Sequence, residues 1–132
     1  MRKLLLLAPL ALLISGCGGT SGGTGDPNQG HLGEKAGLVD TTLTLILKDF
    51  TITPANVTFP KTGKYTVVLY NEGSQLHNVE IEGNGIEATG KDIGFGKTFT
   101  FTVDFKKAGS YEMYCPVDGH KDLGMTGTIT VS

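Results

Sequence analysis

Four side chains in this sequence could together hold one soft metal ion. Three lie on a single stretch, Tyr114-Cys115-Pro116-Val117-Asp118-Gly119-His120-Lys121-Asp122-Leu123-Gly124-Met125, which offers a thiol, an imidazole and a thioether at even spacing. The fourth is His77, on an earlier segment where it alternates with the apolar Val79 and Ile81. Sulfur donors favour copper(I), and imidazole accepts either copper oxidation state. Two His and one Cys in a plane with a weak axial Met form the donor set of copper sites that pass single electrons. Zinc is served less well, because a thioether binds it poorly and the other three donors leave an open site. The ordinary alternatives are a structural His beside apolar neighbours and a core Met. Met113 fits the second and is assigned to the core, and His31, in a Gly-rich stretch, is expected to be solvated.

Strand phase brings the donors together. If Cys115 points inward, so do Met113 and Tyr111, while Tyr114 and Glu112 point outward. His77 shares its face with Val79 and Ile81 and therefore also points inward.

The remaining elements can be read from the same period. Leu43, Leu45 and Leu47 alternate with Thr42, Thr44 and Ile46. Lys64 to Tyr70 is a β-rich run that ends at the turn Asn71-Glu72-Gly73. Phe99, Phe101, Val103 and Phe105 alternate with Thr98, Thr100, Thr102 and Asp104 in the clearest half-buried pattern of the chain. Tyr111 to Cys115 and Thr126 to Val131 complete the set. Gly, Pro and Asn punctuation separates short alternating runs, which predicts an all-β sandwich or Greek-key barrel.

The N-terminal part lies outside this pattern. Met1-Arg2-Lys3 is a basic head, and Leu4 to Ile14 is an apolar run too short for a resident membrane helix, with the length of a secretory core. Ile14-Ser15-Gly16-Cys17 resembles the bacterial lipoprotein box, with Cys17 as the lipidated residue; the alternative is an ordinary signal peptide beside a chance Cys. The expected layout is a signal peptide over 1–16, a lipidated Cys17 and Gly/Ser/Thr-rich tether over 17–38, and one domain over 39–132. Losing Arg2 and Lys3 leaves nine basic against thirteen acidic residues, a net charge near −4, and no basic patch for nucleic acid. With Cys17 lipidated, Cys115 has no disulfide partner, and a free exported thiol calls for burial or a metal.

Residues 40–132 resemble the cupredoxin family, which includes plastocyanin, azurin and auracyanin. The matching pieces are "DFTITPANVTF", "YNEGSQLHNVEI", "KTFTFTVDFKKAGSYEMYCPVDGH" and "GMTGTITV". The resemblance implies a Greek-key β-sandwich of about seven to eight strands, with one copper under the loops at one end. It implies His77, Cys115, His120 and Met125 as ligands, and Asn78 as a brace between the ligand loops. The loop from Cys115 to Met125 is longer than that of plastocyanin. Leu76 stands where azurin has Gly, which puts an extra carbonyl ligand in doubt. One Cys on the loop excludes a binuclear copper site.

What the resemblance implies for function is a blue type 1 copper protein, an electron carrier and not an enzyme. It would work as a monomer between redox protein partners at a membrane, anchored through Cys17 in the cell envelope. The ring edge of His120 is expected at the surface, rimmed by Pro116, Val117 and Leu123, with Tyr114 as a second, outward-facing route. Copper storage, delivery or sensing would use the same ligands without an electron-transfer partner.

Overall fold

The computed structural model describes residues 36–132. The signal peptide, Cys17, His31 and most of the tether lie outside the described residues.

Among the described residues, ten strands make two facing sheets. They are β1 (Gly37–Val39), β2 (Thr42–Lys48), β3 (Thr51–Thr53), β4 (Asn56–Phe59) and β5 (Gly63–Asn71), then β6 (Glu80–Gly83), β7 (Ile86–Thr89), β8 (Thr98–Phe105), β9 (Gly109–Tyr114) and β10 (Thr126–Val131). The first sheet runs β1-β2-β5-β8, with β3 also paired to β2; the second runs β4-β10-β9-β6-β7. The β2/β5 and β4/β10 pairs are parallel and the others antiparallel.

This is the expected all-β sandwich, with ten strands rather than seven or eight. The strands that no alternating run announces, β1, β3, β4 and β7, have only three or four residues. A period of two has no room to show itself over that length, so pairing partners define these strands, not pattern. Strand β1 starts at Gly37, inside the segment expected to be tether.

The alternating leucines do what their spacing requires. Leu43, Leu45 and Leu47 are fully buried, and face Val57, Phe59, Ile81, Tyr111, Met113 and Ile129 across the sandwich in one apolar core. At the end where β5 starts, Phe59 stacks on Tyr65 with centroids 3.9 Å apart, and Phe105 meets both rings edge-on. The two buried tyrosines keep their hydroxyls paired: Tyr65 donates to the Lys61 carbonyl and Tyr111 to that of Lys107. Burying the rings is then favourable without orphaning a polar group.

The opposite end belongs to the loops. Strand β5 ends at Asn71 beside Leu47, and β9 ends at Tyr114 beside Glu80 and Thr126. Three connections therefore converge there: the two-residue turn Asp49–Phe50, the segment from Glu72 to Val79, and the loop from Cys115 to Met125.

Candidate metal centre

His77 is held by backbone pairing before its side chain does anything. Its N–H donates to the Ile93 carbonyl at 3.1 Å and its carbonyl accepts from Ile93 N–H at 2.9 Å, an isolated bridge set apart from β6. The segment leading to it is braced by Asn71, which is fully buried. The Asn71 amide donates to the carbonyls of Gln75 and Ile93, and its oxygen accepts from Gly73 N–H.

The other loop closes on itself. Cys115 N–H donates to the Met125 carbonyl at 3.0 Å, and Met125 N–H donates to the His120 carbonyl at 3.1 Å. Between them the chain winds through tight turns, with Gly119 and Gly124 in left-handed conformations that residues with a Cβ adopt at a cost. The even sequence spacing of Cys, His and Met is thus folded back into a ring of main-chain bonds, with the side chains of Cys115, His120 and Met125 all buried.

The result is a convergent set of donors. His77 Nδ1 lies 3.2 Å from His120 Nδ1, and the Cys115 sulfur lies 4.0 Å and 3.5 Å from them respectively. Each ring's other nitrogen is already engaged. His77 Nε2 lies 3.0 Å from Asp49 Oδ1, and His120 Nε2 lies 3.2 Å from Gln75 Oε1. A carboxylate or an amide oxygen can only accept, so these partners favour the tautomer with the proton on Nε2, the one that leaves Nδ1 bare for a metal. Two bare lone pairs and a sulfur then face one buried point, which a cation satisfies.

Size agrees. With a metal–nitrogen bond of about 2.0 Å and a metal–sulfur bond of about 2.3 Å, a trigonal plane needs separations of roughly 3.5 Å between nitrogens and 3.7 Å from nitrogen to sulfur. The two sulfur separations, 4.0 Å and 3.5 Å, bracket the second value, and the nitrogens, 3.2 Å apart, lie slightly inside the first. Met125, fully buried and hydrogen-bonded to both His120 and Cys115 through its backbone, adds a thioether at the base of the loop. Soft sulfur with two imidazoles fits copper. His77, Cys115 and His120 are the one such cluster of potential ligands among the described residues.

The electrostatics around the sulfur oppose each other. Burial pushes the Cys115 thiol up, while backbone N–H groups of Asn78 and Val117 favour its thiolate. Asp49 is held well below the usual carboxylate range, first by the Ser74 hydroxyl and then by His77. Tyr114 is pushed up to about 12, chiefly because its hydroxyl donates to Glu80.

The remaining sequence expectations fall out unevenly. The Asn78 side chain bonds Asp92 and its own neighbour's N–H at Val79, so it ties the His77 segment to the loop before β8. Pro116 and Leu123 are exposed, but Val117 is half-buried against the core and is no free rim residue. His120 does not open to solvent as expected: only 4 % of it is exposed, because the exposed Gln75 covers its outer nitrogen and Phe50 stands edge-on to its ring at 5.2 Å. Tyr114 is half-buried beneath Lys121, whose Nζ sits 3.7 Å from the ring centre. Nothing in the sequence assigns Asp49, Phe50 or Gln75 a place at the site, and Asn71 reads there only as a turn residue. Only the quoted segments "DFTITP" and "YNEGSQLHN" held a hint, without indicating what they touch.

Fold and donor set together define a mononuclear copper protein. Residues 32–131 match the family model described as a cupredoxin-like domain, and the chain belongs to that family. Solved structures share the fold. Reduced auracyanin from Roseiflexus castenholzii superposes with a TM-score of 0.64 at 22 % identity, covering 72 % of this chain and 99 % of that one. Auracyanin B gives 0.62 at 15 %, covering 80 % and 96 %. Auracyanin A from Chloroflexus aurantiacus, described as a "blue" copper protein, gives 0.57 at 17 %, covering 69 % and 99 %. No curated protein sequence matches the chain at a significant level.

Proposed function

We propose that this protein is a blue type 1 copper electron carrier that shuttles single electrons between membrane-linked redox partners, held at the outer face of a membrane by lipid on Cys17. The observation that carries the reading is the pair of bare Nδ1 atoms 3.2 Å apart beside the Cys115 sulfur, each ring pinned from behind. Copper in such a site supplies a one-electron couple. The chain's part is to keep the donors still. His77 is locked by backbone pairing and Cys115, His120 and Met125 by the closed loop, so little reorganises when charge changes. Pro116 and Leu123, exposed on the loop that carries His120, give a partner an apolar place to approach.

The test is to load the purified domain with copper(II), record its visible spectrum and cycle it by voltammetry. An intense visible band, lost in Cys115→Ser, with reversible cycling and copper retained, is expected. Release of copper on reduction would favour delivery or storage instead. The anchor is tested separately by fractionation: Cys17→Ser should leave the membrane fraction.

A further inference from the structure

The turn between β2 and β3 consists of two residues, Asp49 and Phe50, and each touches one of the two imidazoles. Asp49 Oδ1 accepts from His77 Nε2–H at 3.0 Å, and also from the backbone N–H groups of Ser74 at 2.9 Å and Gln75 at 3.3 Å. Its Oδ2 accepts from the Ser74 hydroxyl at 2.6 Å. The carboxylate is thus fixed from three sides. The fit is close: a Cβ on Gly73 would fall 2.6 Å from both Asp49 Oδ1 and His77 Nε2. Phe50 sits edge-on to His120, interplanar angle 82°, and holds φ at +66°. A bulky residue in that conformation is an outlier where Gly or Asn would sit at ease. A turn under no other demand would not need the ring there.

We propose that this hairpin tip is a positioning device for the copper centre. Asp49 holds His77 in the tautomer that leaves Nδ1 bare and makes it a stronger donor, which favours copper(II) and lowers the reduction potential. Phe50 walls the ring of His120. A carboxylate on the far nitrogen of a ligating imidazole fixes ring orientation and raises ligand basicity. The higher charge of copper(II) gains more from both the stronger donor and the nearby negative charge. The inference rests on copper being the resident metal and is independent of any electron partner.

Asp49→Asn is the test, because it removes the charge while keeping an oxygen for Ser74, Gln75 and His77. The full chain, loaded with copper ions, is measured by voltammetry and by competition with chelators for each oxidation state. The expected result is a fall of about tenfold in copper(II) affinity relative to copper(I), the lower end of what losing such a partner does to metal affinity. For a one-electron couple that is a rise of about 59 mV. Nitrogen NMR of the metal-free chain should show His77 protonated on Nε2 in wild type and in Asp49→Asn, whose amide oxygen still accepts, and a tautomer mixture in Asp49→Ala, which removes the acceptor. Phe50→Gly, which suits the backbone although it gives up the ring's packing on the core, should still fold yet shift the visible band and exchange copper faster. A wild type that takes no copper would remove the copper reading itself. Copper bound with one potential shared by wild type and Asp49→Asn would remove only the role of Asp49. An unchanged spectrum and exchange rate in Phe50→Gly would make the aromatic ring a turn residue and no more.

Discussion

Asn71 is the single side chain whose loss should most loosen the approach to His77. It is fully buried, and Asn71→Ala deletes three hydrogen bonds: two donated to Gln75 and Ile93, one accepted from Gly73. The three partners differ. Gln75 is exposed, so water recovers its carbonyl; the Ile93 carbonyl keeps its bond from His77 N–H; the buried Gly73 N–H alone stays unpaired. Each hydrogen bond is worth about 1 kcal/mol net, and a buried orphan costs about 1–3 kcal/mol. The sum is a loss of about 3 kcal/mol, a large share of a small domain's stability. For a domain of this size that lowers Tm by on the order of 15 °C. Urea unfolding of the metal-free protein is the right assay, since bound metal would add its own linkage and mask the loss. The backbone bonds of Asn71 to Gly96 and Lys97 survive the substitution, so β5 itself should persist. A loss under about 1 kcal/mol would refute the reasoning, because it would mean that the segment from Gly73 to Ile93 re-pairs without the amide.

Three further outcomes are expected. Met125→Gln should still bind copper but at a lower reduction potential by voltammetry, since a harder oxygen donor favours copper(II). Glu80→Gln should bring the Tyr114 phenol down from about 12 towards its ordinary 10.0, read as phenolate absorbance against pH. The sign follows from linkage: a phenol raised on folding adds stability that is fully present below its unfolded value and is lost as pH climbs from about 10 to about 12. Leu123→Glu should slow electron exchange while leaving spectrum and potential intact; rates that hold there but fall in Tyr114→Leu would move the exit to the tyrosine face.

Much of the molecule was legible because its signals are local. Leu43, Leu45 and Leu47, and likewise Val103 and Phe105, bury by period two whatever lies opposite. His77, Val79 and Ile81 share one buried face as their alternation says. The even spacing of Cys115, His120 and Met125 was sufficient to name a soft-metal site, because donor chemistry is a property of residue type. The short strands were not legible. Strand β7, for instance, exists through Asn84–Gly85, a two-residue turn with φ of +48° and +86° that folds it back on β6.

The chain's own order of residues therefore determined the fold class, the core face of each long strand and which side chains donate to the metal. Tertiary structure decided how those donors are presented. Asp49 meets His77 across 28 residues and Gln75 meets His120 across 45. Such contacts leave no period in the sequence, since they depend on where three separate loops land at one end of the sandwich. The exposure of His120 was decided the same way. A loop position suggests access to water, but Gln75 and Phe50 arrive from elsewhere in the chain to cover the ring, and burial is set by neighbours in space rather than neighbours in sequence.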